Sequence, residues 1–211
     1  LDKEPESRKE KAINLAKQHG YKIKPLNINY SEATWKIEGD DTLIAPLTGI
    51  KGFGDAAFDQ VLANRPFNTI DELLFHDDVK YSKLNKKALD VLCRAGALGD
   101  LIDERFTGDK HFWSAAIVDR PKNRKKFDEN IETYRPEGSF TEDEKIGFFA
   151  DLTGIFPVSM VMSQRIMDKL DAKGVPPISE YDRDLMFCWG IIRSVTKKKT
   201  KNGKPFFVVK V

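Results

Sequence analysis

The sequence predicts an α+β fold that is mainly α: a helical domain around a glycine hairpin, then a helical connector, then a β-hairpin. Three observations predict it. Apolar residues recur at helical spacing through much of the chain, and several of these runs open on a Ser, Thr or Asn. Residues 181–211 instead collect β-formers around Asn202-Gly203. At 211 residues the chain suits one or two domains with a real core. Thirty-five basic against 33 acidic residues leave a net charge of only +2, so affinity for a polyanion must come from local clustering. Cys93 and Cys188 stand far apart in apolar contexts and read as reduced residues, with neither disulfide nor zinc spacing. No leader peptide is expected, and no apolar run approaches the roughly 20 residues of a membrane span. A cytoplasmic protein with no membrane partner is expected.

Residues 1–6 read as frayed. Ser7 and Glu10 form a capping box for a helix with Ala12, Ile13, Leu15 and Ala16, stopped by Gly20. Tyr21 to Leu26 is a short extended segment. Ala33–Ile37 and Thr42–Ala45 flank the turn residues Glu38-Gly39-Asp40-Asp41. Next comes Gly49-Ile50-Lys51-Gly52-Phe53-Gly54, the most informative string in the chain. It matches a helix-hairpin-helix element, in which a glycine hairpin joins two helices. Glycine suits a bend with φ > 0, Phe53 would plug the gap between the helices, and the amides of Gly52, Phe53 and Gly54 would face outward. Free N–H groups at a helix start favour phosphate, and Lys51 adds a cation. Ala56, Ala57, Phe58, Val61 and Leu62 predict a helix over 55–64, with Asp55 as cap and Arg65-Pro66 as its stop.

Thr69 and Glu72 open a short helix with Leu73 and Leu74 on its buried side. Asn85 caps a longer one whose Leu84, Ala88, Leu92 and Ala95 share a face, closed by Gly96. Lys83, Lys86, Lys87 and Arg94 lie off that face and, as a group, extend a basic track beside the hairpin. Residues 99–140 lose periodicity. They read as a connector holding a short helix at 113–118 and a basic run, Arg120 to Lys126, which fits a second phosphate contact and, better, a solvated linker. Thr141 to Leu152 is helical again and stops near Gly154 and Pro157. Ser163 to Ala172 is a further helix, ended by Gly174. Leu185–Val195 and Pro205–Val211 read as two strands with Lys197, Lys198, Lys199, Lys201 and Lys204 at the tip between them. Two strands alone are marginal, and the apolar pattern is unfinished at Val211, so a truncated small barrel is expected.

This order of segments resembles the C-terminal part of the bacterial-type (C-family) DNA polymerase III alpha subunit. Lys17 to Ser31 resembles the end of the fingers. Gly49–Gly54 with Arg65-Pro66-Phe67 resembles the first hairpin of a tandem DNA-binding region, and Leu84–Leu89 through Arg94–Leu98 its second half. Asp151–Pro157 resembles the lead into an OB domain, and Gly190–Arg193 with Gly203-Lys204-Pro205-Phe206 that domain's first hairpin. The resemblance implies four parts: 1–46 from the fingers, 47–106 as the helix-hairpin-helix domain, 107–180 as a helical connector and 181–211 as the start of the OB fold. It also implies a fragment that grips duplex DNA through Lys51, Gly52, Phe53, Gly54, Lys86 and Lys87. Lys197, Lys198, Lys199 and Lys201 would lie near single-stranded template. Sliding clamp and other replisome subunits are implied partners, although the closest clamp-peptide string, Gln164-Arg165-Ile166-Met167, reads better as an amphipathic helix.

No catalytic or metal residue is expected here. Asp40-Asp41 sits in a turn, Asp77-Asp78 in a polar loop, and His19, His76 and His111 are scattered. The fragment itself should hold no cofactor; Mg²⁺ belongs to the parent polymerase's palm. A non-catalytic repair or recombination module with the same two elements is the alternative, and a scaffold in which the hairpin is only a turn ranks below it.

Overall fold

The computed structural model describes residues 12–13, 15–17, 19–154, 162–178, 184, 186–192 and 194–211. The fold is α+β and mainly α. It divides into two compact units, residues 1–157 and 158–211.

In the first unit, the described residues of 12–17 are helical, and Gly20 turns at φ 84°. The expected Ser7–Glu10 capping box lies outside the described residues. Three short strands follow: β1 (Lys22–Lys24), β2 (Lys36–Glu38) and β3 (Thr42–Ile44). β3 is central, parallel to β1 and antiparallel to β2, with Glu38 opposite Thr42 across the expected turn.

The helices are α1 (Asp55–Asn64), α2 (Ile70–Phe75), α3 (Lys86–Arg94), α4 (Asp109–Trp113), α5 (Arg124–Tyr134) and α6 (Glu142–Thr153). α1 stops where Arg65 turns extended before Pro66, and the Arg65 side chain then donates to Ser31 O and pairs with Glu32. Thr69 caps α2, and Glu72 reaches back to the Asn68 N–H, which holds its carboxyl below the usual range. Asn85 caps α3, and Leu84, Ala88, Leu92 and Ala95 are buried as one face. Thr141 and Glu144 form a capping box on α6, which ends at Gly154 in the left-handed region.

One hydrophobic core runs from Leu26 to Leu152 and draws on every one of these helices. It corrects the reading of 99–140 as an irregular connector. Phe106, Phe112, Ala115, Ala116, Ile117, Phe127 and Ile131 are all core residues. α4 runs into a π-helical turn, Ser114–Val118, and α5 was not anticipated at all. The partition expected at 106/107 has no counterpart in this packing. His111, expected to carry no function, is a satisfied core residue: Nδ1 accepts from the Thr107 N–H and Nε2 faces Ile131 O.

The second unit contains α7 (Gln164–Ala172) and an antiparallel ribbon of β4 (Ser194–Lys199) and β5 (Pro205–Lys210). The strand expected over 185–195 is displaced. Leu185 and Arg193 lie outside the described residues, and Trp189 instead makes an isolated parallel bridge to Pro177. The reason is register. Thr200 and Lys204 close the turn around Asn202-Gly203, so counting back uses up β5 at the Ser194–Lys210 pair.

Candidate nucleic-acid interface

The glycine hairpin is built from below. Phe53 is 5% exposed and belongs to the core, together with Ile50, Ala57, Phe58 and Val61. Gly52 holds φ +88°, which a side chain resists, whereas Gly54 sits at φ −93° as the N-cap of α1. Asp55, expected to be the cap, is instead the first helical residue, and no side chain caps α1. Upstream, the first helix expected of the hairpin is only a 3₁₀ turn, Leu47–Gly49. Ile44 is still in β3 and Pro46 is extended, so no longer helix fits between them.

The amides divide in a way that corrects the expectation. The Phe53 N–H does not face outward; it donates to Ile50 O at 3.1 Å. The Lys51 N–H donates to Leu152 O at 2.7 Å, so the end of α6 clamps the bend. Among the described residues, the Gly52 and Gly54 N–H groups meet no acceptor. Both residues are exposed, as is Lys51. These donors, with the positive end of the α1 dipole, form a small anion-accepting edge, and Asp55 opposes it.

The expected lysines separate. Lys87 lies against the hairpin, since a Cβ added at Gly52 would stand 3.5 Å from Lys87 Cε. Lys86 turns away and donates its ammonium to Val118 O. Arg94 is taken up by Asp90, which also accepts from Trp113 Nε1. Arg120, preferred as part of a solvated linker, is instead packed. It is half-buried, donates to Leu84 O at 2.8 Å and lies 4.3 Å over the Tyr81 ring, and burial pulls its guanidinium below arginine's ordinary range. Its only sequence signal was the basic run.

Lys197, Lys198 and Lys199 are not at a tip. They lie within β4, opposite Phe207, Phe206 and Pro205, and only Lys201 and Lys204 occupy the turn. Side chains alternate along a strand, so Lys198 faces away from Lys197 and Lys199. The ribbon therefore spreads its charge over both faces.

Among the described residues, no three His, Cys, Asp or Glu side chains are gathered for a metal ion. No helix among them is long and apolar enough to cross a membrane.

A family model described as the helix-hairpin-helix motif matches residues 20–107, the stretch from β1 through α3 to just beyond the core residue Phe106. The chain is 27% identical over 202 residues to DNA polymerase III subunit alpha of Aquifex aeolicus, covering 92% of this chain and 17% of that protein. Over most of its length the chain is thus similar to the C-terminal part of DNA polymerase III alpha subunits, at low identity. The alpha subunit of Thermotoga maritima is 25% identical over 170 residues, 79% of this chain and 20% of its own length. That of Pseudomonas aeruginosa is 34% identical over 79 residues, 36% of this chain and 7% of its own length. The chain spans a fifth or less of the length of these relatives.

Proposed function

We propose that this chain is a DNA-holding part of a replicative DNA polymerase. The Gly52 and Gly54 amides, with Lys51 and Lys87, would grip backbone phosphates of duplex DNA without reading sequence. The observation that carries this is the placement of Phe53. Its buried ring fixes the bend, so that two unpartnered amides and a neighbouring ammonium meet at one exposed edge. Nucleotidyl transfer and its metal ions are assigned to other segments of the polymerase. The β4–β5 ribbon, read as the start of an OB domain, would lie near single-stranded template.

A mobility-shift titration of the chain with duplex and single-stranded DNA over a salt series tests the reading. Duplex affinity should fall with log salt by about 0.9 per phosphate neutralised. Lys51→Glu combined with Gly54→Pro, which deletes one of the two amides, should weaken duplex binding at least tenfold. Unchanged affinity at low salt would sink the proposal.

A further inference from the structure

Two basic segments far apart in sequence are stapled together beside the hairpin. Residues 80–87 carry Lys80, Lys83, Lys86 and Lys87 and no acid. Residues 118–126 carry Arg120, Lys122, Arg124, Lys125 and Lys126 against Asp119 alone. Together these 17 residues hold nine cations and one anion, net +8, in a chain whose total is +2. The rest of the protein is therefore net negative. The joint is specific: Lys86 donates to Val118 O, Arg120 to Leu84 O, and Arg120 covers the exposed Tyr81 ring. Pro121 is buried and anchors the loop.

Four of these cations are uncommitted. Lys126 pairs with Asp119, Arg124 with Asp71, and Lys80 donates to Asp77 O. Lys83, Lys87, Lys122 and Lys125 are exposed and have no ion pair among the described residues. The arrangement also costs the helices it borders. α1, α2, α4 and α6 begin with an acid in the first turn, as the dipole favours. α3 and α5, the two helices whose starts form this patch, have none there and carry lysines or arginines instead. By the dipole alone such a choice is slightly unfavourable for folding, although α7 also begins without an acid.

We propose that this joined patch is a second phosphate-binding track, running from the glycine hairpin through Lys87 to Lys122 and Lys125. Its occupant is the backbone of the same nucleic acid. The joints support that choice: a Cβ built on Gly52 would stand 3.5 Å from Lys87 Cε, and the neighbouring Lys86 bonds the 118–126 loop at Val118 O, so the hairpin, the start of α3 and the loop follow one another. The inference rests on the duplex-binding reading above.

The test compares Lys122→Gln/Lys125→Gln with Lys51→Glu/Gly54→Pro in the full chain, titrating duplex DNA across salt. Both loop lysines are exposed, so the substitutions should leave the unfolding midpoint unchanged. If the track exists, the loop variant binds roughly tenfold more weakly at low salt, and its log–log slope is shallower by about 1.8, two phosphates' worth. Loss of binding in the hairpin variant with no change in the loop variant overturns the inference and leaves the hairpin reading standing. Absence of duplex binding by the wild type overturns both. Equal competition by polyglutamate at matched charge also overturns it, because an acidic protein segment would then serve as well.

Discussion

The chain contains two hairpins that looked alike as phosphate-binding elements, and they are built in opposite ways. The glycine hairpin at 49–54 rests on buried Phe53 and is tied to the end of α6 through Lys51 N–H and Leu152 O. The ribbon at 194–210 carries more charge but has Phe206, Phe207, Val195, Val208 and Val209 exposed. Its lysines point to both faces. On the proposed reading, two amides held by a packed ring would fix one phosphate oxygen, whereas the ribbon's lysines would contribute charge without position. On that reading the first hairpin would recognise by geometry and the second by charge alone.

The sharpest way to break this contrast is to remove the ring. Phe53→Ala should cost about 3–5 kcal/mol, as other buried Phe truncations do, and abolish duplex binding. Phe207→Ala, at a site 62% exposed, should stay within about 0.5 kcal/mol. Urea denaturation of both variants decides the matter, and similar small costs would erase the distinction. Gly52→Ala comes next. At φ +88° it should lose about 1–2 kcal/mol. Gly54→Ser separates stability from binding. The serine has open space, gains a few tenths of a kcal/mol as an N-cap, and should nevertheless weaken duplex binding several-fold, because its hydroxyl would accept from a first-turn N–H of α1 and so reduce the positive helix end that the proposal sets beside the Gly52 and Gly54 amides. Equal or tighter binding by this variant would show that the α1 amides are not used.

What could be read in advance follows from how local its cause was. Caps and stops act within four residues, so α3, α6 and the β2–β3 turn were legible from Asn85, Thr141, Gly154 and Gly39. The Gly52 bend and the buried Phe53 were legible for the same reason. α5 was not, although Phe127, Ile131 and Tyr134 are spaced for a helix behind Asn123. The buried position between them is Asn130, whose amide is there to satisfy Ala115 O and Asp119 O at the π-helical turn. A polar residue required by a distant, irregular turn looks like a break in periodicity. The Leu152–Lys51 clamp and the Arg120–Leu84 staple link residues too distant in sequence for any pattern to display. In the ribbon, β-propensity identified strand-forming residues, but the turn selected which of them pair.

Acid titration probes the same contrast with the smallest expected effect. Asp103 is held below the ordinary carboxylate range chiefly by the Arg105 side chain, Glu72 by the Asn68 N–H and Glu144 by the Thr141 N–H. All three lie in the first unit. A carboxyl with a depressed folded-state pKa stabilises the fold above its unfolded value and loses that contribution as pH falls through the folded value. The unfolding midpoint of the first unit should therefore be flat from about pH 7 to 5 and decline below about pH 4. Lys145, raised mainly by Asp109, has the opposite sign and loses its contribution only as the pH rises through the lysine range. Midpoints measured by urea across this range, with near-ultraviolet signals following the buried aromatic core, provide the check. A midpoint that stays level down to about pH 3 would mean that these caps and pairs do not hold the platform under the hairpin, leaving Phe53 and its apolar neighbours to hold it alone.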